Sequence, residues 1–430
     1  MRPPSPETGP SDRASSENAP SSSEGPGASA LLPLAAFTLA RLPRVTFGPG
    51  SFAGVPRIVA GHGSRVLVVT GGRSLARGGR YDGLLAGLAA AGVTLVGEAS
   101  VTDEPSPGAV DTIAATHRRA AVDVVLGVGG GSVLDTAKAV AGLLRVDAPV
   151  TDFLEGLPGA RPWPGPSVPL VAVPTTAGTG SEATRNAVIS ERGPAGYKRS
   201  FRDERLVPAD AVVDPDLLGG LGQEQIAGNG MDALTQLLEA YVSTRASAIT
   251  DALAIAGLEA ARDGLLAWHA DPDGPGAPAA RSRMAYAALL SGICLAHAGL
   301  GAVHGLASPI GAQLPVPHGA ACGATLAAVT EANVFALRTR APADPALARF
   351  ARLGRLLANR QADAGEEAID ALVDTLRDWT ERLGVPGLGH WGVQPASIAG
   401  IVADARGSSM RTNPIALTDA ELAAILTASM

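Results

Sequence analysis

The sequence is poor in cysteine and has no long run of basic or of apolar residues. Its two cysteines, Cys294 and Cys322, form no disulfide or zinc-ribbon pattern, which favours a reducing compartment such as the cytoplasm. A net charge of -7 without a basic run argues against a nucleic-acid-binding protein. No apolar run approaches the roughly 20 residues that a membrane-spanning helix needs, so no membrane association is expected.

What the chain does have is length and apolar content. Its 430 residues exceed one ordinary domain, and 46% of them are hydrophobic, so a large core can form. Residues 1–30 consist largely of Pro, Ser, Gly and Glu and are predicted to form a disordered tail. The apolar segment at residues 28–40 is interrupted by Pro33 and lacks the preceding basic region of a signal peptide, so we interpret it as leading into a first strand.

Short apolar strands alternate with helical segments in the first half of the chain. Strands are predicted near residues 37–47, 65–70, 93–96, 122–126, 168–173, 187–190 and 211–213. This order predicts an α/β domain over residues 31–220, with a parallel, doubly wound, Rossmann-like sheet and a ligand crevice at the carboxyl ends of its strands. Helical periodicity dominates from Gln223 onward, so residues 221–430 are predicted to form an all-helical domain, with the boundary near residues 219–222.

The segment VDVVLGVGGGSVLDTAKAV (residues 122–140) joins a buried strand to a helix through glycines. Gly129, Gly130 and Gly131 lack Cβ atoms, so backbone N–H groups can approach a phosphate, and the start of the helix adds partial positive charge. A pyrophosphate cradle is one interpretation; a simple tight turn is the other, because the spacing matches neither the dinucleotide fingerprint nor a P-loop. Ser132 and Asp135 match a capping box, which favours Asp135 as a helix cap over a catalyst.

A threonine-rich turn follows the strand predicted at residues 168–173. Thr175, Thr176 and Thr179, together with two glycines, would suit contacts to ribose or nicotinamide. An ordinary threonine-rich turn is the alternative.

Candidate metal ligands lie in the second half of the chain. Asp232 and Gln236 are four residues apart and share one helix face, and His304 and His318 bracket a bend that contains Gly and Pro. Each histidine taken alone is typical of an interior side chain with satisfied hydrogen bonds. Two histidines and an aspartate that face a nucleotide cleft would make a divalent-metal site.

From about residue 37 to residue 425 the chain resembles the iron-containing (group III) alcohol dehydrogenases. The motifs that carry the resemblance are GGGSVLDTAKA (residues 129–139), PTTAGTGSEATRNAVIS (174–190), GMDALTQLLEAYVS (230–243), GLGAVHG (299–305), PHGAACG (317–323) and SSMRTNP (408–414). The resemblance implies a Rossmann-like domain that binds NAD(P), a helical domain that holds a metal, and catalysis in the cleft between them.

On this basis we assign roles to individual residues. The expected cofactor-binding residues are Gly71, Gly129, Gly130, Gly131, Ser132, Asp135, Thr175, Thr176, Thr179 and Lys198. The expected metal-binding residues, for Fe²⁺ or Zn²⁺, are Asp232, Gln236, His304 and His318. The expected catalytic residues are Asp232, His304, His318 and Lys198, and the expected substrate-binding residues are Arg185, Asn186, Arg202 and Ser308.

Two positions depart from the family pattern. Gln236 stands where most members have a fourth histidine ligand, and Ser308 stands where many have a further active-site histidine. An amide oxygen is a poorer metal donor than imidazole, so a weakly held ion is expected. A Gln236 that has left the coordination sphere and a metal-free site are the alternatives, and the proton is expected to travel through ribose hydroxyls and water.

The expected reaction is reversible hydride transfer between nicotinamide C4 and the carbonyl or alcohol carbon of a small aldehyde or alcohol. Arg185, Lys198 and Arg202 near the expected cleft predict a carboxylate or phosphonate on that substrate. Structural pairing of Arg202 with Glu204 or Asp203 is the alternative.

The sequence also bears on the choice of cofactor and on rival functions. Arg73 follows the first Rossmann strand, where no carboxylate stands to repel a 2′-phosphate, and its guanidinium could bind that phosphate bidentately, so NADP(H) is expected to be accepted at least as well as NAD(H). A solvated loop charge without a role in cofactor choice is the alternative for Arg73. A homodimer is expected from the family. The rivals are a dehydroquinate synthase-like lyase on the same scaffold and a degenerate nucleotide-binding protein without turnover.

Overall fold

The computed structural model describes residues 36–72, 75, 79–193, 196–359 and 364–430. The tail predicted at residues 1–30 and Arg73 lie outside the described residues. Eight strands are described, namely β1 (Arg44–Phe47), β2 (Arg65–Gly71), β3 (Thr94–Val101), β4 (Val124–Gly129), β5 (Leu170–Pro174), β6 (Asn186–Glu191), β7 (Tyr197–Arg202) and β8 (Asp210–Val213).

Thirteen α-helices are described in the same residues. Four lie among the strands, namely α1 (Val55–Ala60), α2 (Arg80–Ala90), α3 (Pro107–His117) and α4 (Gly131–Leu143). Nine follow the last strand, namely α5 (Gln223–Val242), α6 (Ala248–Ala270), α7 (Ala277–Ala298), α8 (Ala302–Gln313), α9 (His318–Arg340), α10 (Ala346–Leu357), α11 (Gly365–Arg382), α12 (Pro395–Asp404) and α13 (Asp419–Ala428). The change from strands to helices falls where the sequence predicts it, and the division into two domains stays a prediction.

Six strands form one sheet in the order β1-β8-β5-β4-β2-β3, and all of its pairings are parallel. The sheet confirms the predicted Rossmann-like α/β architecture. Its central strands are apolar because both faces are covered. Leu67 and Val69 of β2 pack on the side of α3 and α4, whereas Val66 and Val68 pack on the side of α1 and α2.

The strand predicted at residues 187–190 belongs to a separate hairpin. β6 pairs antiparallel with β7, from Asn186 opposite Arg202 to Glu191 opposite Tyr197. The sequence analysis missed β7, because YKRSFR is too polar to resemble a buried strand. The hairpin packs against α4 and brings its charged residues to the edge of the sheet where the parallel strands end.

The capping box predicted for Ser132 and Asp135 is wrong. α4 begins at Gly131, its N-cap residue is Gly130, and no side chain caps it. The Asp135 carboxylate instead accepts hydrogen bonds from Ser181 Oγ (2.5 Å) and Val188 N (2.9 Å). Asp135 therefore links the threonine-rich loop to the hairpin by hydrogen bonds, and the N-terminus of α4 has no side-chain cap.

The helices after residue 222 share one core with no described strand among them. α5 lies at the centre and packs on α6, α7 and α9. α9 is long and apolar enough to cross a bilayer, but 67% of its apolar window is buried inside the protein. Its apolar character is accounted for by packing on the other helices.

Candidate functional site

A large cleft opens at the carboxyl ends of the parallel strands, between the sheet and the helices. Its volume is 1710 Å³, above the roughly 300–1,000 Å³ of an ordinary ligand pocket. One wall is formed by the glycine turn after β4, the loop after β5 and the β6–β7 hairpin, and the other by α5, α8 and the start of α9. A dinucleotide and a small substrate fit side by side in such a space.

The glycine turn between β4 and α4 brings backbone close to the cleft. A Cβ atom on Gly131 would lie 2.7 Å from Thr179 Cγ2, and one on Gly130 would lie 3.1 Å from Thr176 Cγ2. The close approach of the two loops at Gly131 therefore requires glycine. Because α4 begins here without a side-chain cap, its first N–H groups can bind a phosphate. The turn fits the pyrophosphate of NAD(P).

Most of the predicted cofactor-binding residues line this part of the cleft. They are Gly130, Gly131, Ser132, Asp135, Thr176, Thr179 and Lys198. Gly129 and Thr175 are buried behind the lining, where Thr175 N donates to Gly129 O at 3.0 Å. Gly71 ends β2 and is not part of the lining.

Lys198 stands on β7 and is bound to Glu104, with 3.1 Å between Nζ and Oε1. Its side chain is 12% exposed and lines the cleft. Its charge also reaches His318, whose pKa it lowers. Lys198 therefore lies between the nucleotide side of the cleft and the histidines.

Four potential metal ligands meet at the helical wall. Asp232 on α5, His304 on α8 and His318 and Cys322 on α9 offer ligand atoms that all lie within 4.8 Å of one another. Asp232 Oδ1 is 3.2 Å from His304 Nε2 and 3.7 Å from His318 Nε2. One carboxylate oxygen, two imidazole nitrogens and a sulfur are a donor set that suits Zn²⁺ or Fe²⁺. The residues present therefore fit the divalent metal that the resemblance implies.

Cys322 is not among the residues predicted from the sequence. It follows His318 by four residues. Residues spaced by four share a helix face. That spacing within PHGAACG is the signal that could have placed Cys322 beside the predicted metal ligands.

Glu239 fixes the orientation of the His304 ring and was also missed. Glu239 Oε2 lies 2.6 Å from His304 Nδ1, and Glu239 Oε1 accepts a hydrogen bond from Val303 N at 2.7 Å. The proton of the neutral ring is thereby held on Nδ1, and the Nε2 lone pair points at the metal-ligand cluster.

Gln236 lies one helical turn after Asp232 and contacts the cluster through its amide nitrogen. Gln236 Nε2 donates to Asp232 Oδ1 at 3.1 Å, and Gln236 Oε1 accepts from Ser291 Oγ at 3.1 Å. The amide oxygen is therefore turned away from the cluster. The side chain orients the carboxylate of Asp232.

Burial and mutual charge shift the pKa values of the cluster. Burial would raise the pKa of Asp232, but the charges of His318 and His304 and the hydrogen bonds from His304 and Gln236 bring it down to about 2. Burial lowers the pKa of His318 to about 4 and raises that of Cys322 to about 11. Burial alone would lower the pKa of His304, but Cys322, Glu239 and Asp232 raise it well above its usual value. At neutral pH Asp232 is a carboxylate and His318 a neutral imidazole, whereas His304 and the Cys322 thiol each have to release a proton when they bind a metal.

Several arginines line the cleft. Arg202 donates from Nε to Asn186 Oδ1 at 2.9 Å and lies 3.3 Å from Glu155, which differs from the pairing with Glu204 or Asp203 considered above. Burial lowers the pKa of Arg202, Glu155 opposes this, and Arg185, Arg411 and Arg245 lower it further. The guanidinium groups of Arg185, Arg245 and Arg411 are therefore close enough to Arg202 to repel its charge.

The arginines differ in how they are paired. Arg185 is bound to Glu204. Arg245 and Arg411 are exposed, line the cleft and have no side-chain partner among the residues that the structure describes. Ser308 also lines the cleft and donates from Oγ to His304 O at 3.1 Å. All four predicted substrate residues reach the cleft, and Arg245 and Arg411 were not predicted because they follow helical segments far apart in the sequence.

Comparison with known proteins places this geometry among related enzymes. A model described as iron-containing alcohol dehydrogenase matches residues 43–215, and a model described as Fe-containing alcohol dehydrogenase family, C-terminal, matches residues 226–430. The chain is 33% identical over 348 residues to the probable alcohol dehydrogenase EutG of Escherichia coli K12, covering 78% of this chain and 81% of that protein.

Solved structures show the same similarity. A 1,3-propanediol oxidoreductase superposes with a TM-score of 0.81 at 28% identity, over 92% of this chain and 100% of its own. A sulfoacetaldehyde reductase from Bifidobacterium kashiwanohense in complex with NAD⁺ superposes with a TM-score of 0.77 at 25% identity, over 91% and 98% of the two chains.

Proposed function

The chain belongs to the iron-containing alcohol dehydrogenase family and is an oxidoreductase that acts on alcohols, and from this premise we propose that its substrate is a small aldehyde or alcohol carrying an anionic group. The reaction is hydride transfer between nicotinamide C4 and the carbonyl or carbinol carbon. The comparisons do not favour the lyase considered from sequence, and the family assignment argues against the non-enzyme.

The observation that carries the proposal is the set of arginines in the cleft. Arg245 and Arg411 are unpaired among the described residues, and they face a cleft already lined by Arg185 and Arg202. An anionic substrate would relieve this repulsion and accept bidentate hydrogen bonds. A carboxylate, sulfonate or phosphonate supplies the required oxygens, and the sulfoacetaldehyde reductase similar to this chain acts on a substrate with such a group.

The cofactor would lie along the sheet side of the cleft. The N–H groups at Gly130, Gly131 and Ser132 would hold the pyrophosphate, and the hydroxyls of Thr176 and Thr179 would orient the ribose and nicotinamide. Gly71, Gly129 and Thr175 lie outside the lining of the cleft, next to the residues that form this wall. The choice between NADP(H) and NAD(H) rests on Arg73, and acceptance of NADP(H) stays a prediction.

The metal would be held by Asp232, His304 and His318 at the other end of the cleft. When bound, a divalent ion supplies Lewis-acid polarisation of the substrate oxygen. Glu239 keeps the His304 ring in the ligating tautomer, and Lys198 lies between the two halves of the site. Ser308 donates its proton to a backbone carbonyl, so we assign the proton route to ribose hydroxyls and water.

The cellular setting follows from the same premise. We propose a cytoplasmic enzyme, because neither cysteine forms a disulfide. A homodimer is proposed from the family alone.

A screen of paired substrates tests the proposed function. The metal-loaded, full-length protein is assayed with NADH and with NADPH on aldehydes of equal chain length that end in a methyl, a carboxylate, a sulfonate or a phosphonate group. We expect kcat/KM for the best anionic aldehyde to exceed that for the neutral one by at least about tenfold, as expected for a charge-assisted contact. Equal values would overturn the anionic substrate class and leave the alcohol dehydrogenase activity standing.

A further inference from the structure

We propose that the thiolate of Cys322, and not Gln236, is the fourth protein ligand of the metal, and that this donor set favours Zn²⁺ over Fe²⁺. The inference rests on the metal site of the proposed function and replaces one member of the predicted ligand set.

The distances from the Cys322 sulfur to the other three ligand atoms approach those of a tetrahedral site. Cys322 Sγ lies 3.8 Å from His304 Nε2, 3.9 Å from His318 Nε2 and 3.9 Å from Asp232 Oδ1. Bond lengths of about 2.3 Å to sulfur and about 2.0 to 2.1 Å to nitrogen or oxygen give tetrahedral edges of about 3.5 Å from the sulfur and about 3.3 Å between the others. The observed edges from sulfur are a few tenths of an ångström longer than these, so a small contraction completes the site.

Cys322 closes the cluster on the side away from the cleft. It is buried and does not line the cleft, whereas Asp232, His304 and His318 do. A ligand in this position anchors the metal from the protein side and leaves the cleft side for the substrate oxygen as a fifth ligand, which catalytic zinc sites accept. His318 and Cys322 come from successive turns of one helix, so their relative position is set by the backbone of α9.

Gln236 is poorly placed to ligate. Its amide oxygen accepts from Ser291 Oγ, and its nitrogen faces the Asp232 carboxylate. Turning the amide over would set its oxygen against the Asp232 oxygen and remove the hydrogen bond. The loss of the family's histidine at this position is thus compensated from α9, by a residue ninety positions away from Asp232 in the sequence.

The donor set also determines which metal is preferred. Thiolate is a soft ligand that favours Zn²⁺, and a site with nitrogen, oxygen and sulfur donors binds Zn²⁺ more tightly than Fe²⁺ in the general order of divalent affinities. On binding, the Sγ–H proton leaves to solvent and its electron pair forms the bond to the metal.

Spectroscopy of the cobalt-loaded protein tests the proposal without an activity assay. The full-length protein is stripped of metal, loaded with Co²⁺ alone, and examined for the near-ultraviolet charge-transfer band of a thiolate bound to cobalt. We expect the band in the unaltered protein and in Gln236→Ala, and its loss in Cys322→Ser and Cys322→Ala. Cys294→Ser is the matched control, because Cys294 is buried elsewhere and its sulfur contacts Thr250 O; it should retain the band.

Zinc affinity, measured by competition with a chromophoric chelator, gives a second readout. We expect Cys322→Ser to weaken Zn²⁺ binding by at least about tenfold, equivalent to about 1.4 kcal/mol, and Gln236→Ala to weaken it much less. Stoichiometric Co²⁺ binding without the thiolate band overturns Cys322 ligation while leaving the metal site intact. A band that survives in both Cys322 variants would also overturn Cys322 ligation. So would a loss of Zn²⁺ affinity that is greater in Gln236→Ala than in Cys322→Ser. Failure of the unaltered protein to bind any metal overturns both this inference and the metal part of the proposed function.

Discussion

Glu239 and Asp232 hold opposite edges of the His304 ring, with Glu239 Oε2 2.6 Å from Nδ1 and Asp232 Oδ1 3.2 Å from Nε2. Both acids stand on α5, seven residues apart, so one helix sets the ring from two sides. Nδ1 is bound to a carboxylate that takes no part in the ligand cluster. Nε2 is thereby fixed as the ligating atom.

Glu239→Gln tests this arrangement. The amide keeps the size of the side chain but removes the charge that favours the Nδ1–H tautomer, so we expect Zn²⁺ affinity to fall by about 10- to 100-fold. Competition with a chromophoric chelator measures the change. An affinity within about threefold of the unaltered protein would show that the Glu239 charge does not tune His304.

The unpaired arginines give a prediction about the substrate. Arg245→Gln and Arg411→Gln should each raise KM for an anionic aldehyde by about 10- to 100-fold, because a charge-assisted hydrogen bond contributes about 1.5 to 3 kcal/mol. The value for a neutral aldehyde of equal length should change little. Arg57→Gln is the control, because Arg57 is exposed on α1, outside the cleft. Equal losses on both aldehydes would indicate a structural role for the two arginines.

Gly131→Ala tests the pyrophosphate cradle. The new Cβ would lie 2.7 Å from Thr179 Cγ2 and push the threonine-rich loop from the helix start, so we expect NAD(P)H to bind at least about tenfold more weakly, a loss of about 1.4 kcal/mol. Fluorescence titration of the reduced cofactor measures this. Gly108→Ala is matched to it, because Gly108 also lies in the first turn of a helix but a Cβ there meets nothing within 4 Å. Unchanged cofactor binding in Gly131→Ala would place the pyrophosphate elsewhere.

Glu182 gives a prediction about pH. Burial raises the pKa of Glu182 to about 7, although the charge of Lys138 opposes the shift. Because the folded pKa exceeds the unfolded one, the contribution of Glu182 to stability is fully present below about pH 4.5 and is lost as the pH rises through about 7, by about 3 kcal/mol in all. Glu182→Gln removes this loss, so its melting temperature should exceed that of the unaltered protein by a margin that grows from pH 4.5 to pH 7 and then levels off. A margin independent of pH would show that Glu182 is ionised throughout in the folded protein.

Much of the fold could be predicted from the sequence, because local patterns determine it. The apolar runs of β2, β4 and β5 predict buried parallel strands, and the glycines before α4 predict a turn close to a ligand. The hairpin was predicted only in part, because the charged residues of β7 face the cleft and do not form an apolar pattern. The capping box was wrong for a similar reason, since Asp135 binds a distant loop and not its own helix.

Residues of the site could be predicted only where they lie in a sequence motif of the family. Asp232, His304 and His318 stand in such motifs, and the structure brings them together. Cys322 and Glu239 join the site because α5, α8 and α9 pack together. Arg245 and Arg411 reach the cleft from the segments between α5 and α6 and between α12 and α13. Apart from the four-residue spacing of His318 and Cys322, contacts between helices far apart in the chain leave no local pattern in the sequence, so these residues could not be predicted from it.

The proposed reaction is hydride transfer from NAD(P)H to the carbonyl carbon of a small anionic aldehyde. The direct test is a reaction with cofactor deuterated on the transferring face of C4 and the aldehyde preferred in the substrate screen, with mass spectrometry of the product. We expect one deuterium on the carbinol carbon of the product for each cofactor oxidised. A product without deuterium, or cofactor returned unchanged as in a lyase, would contradict it.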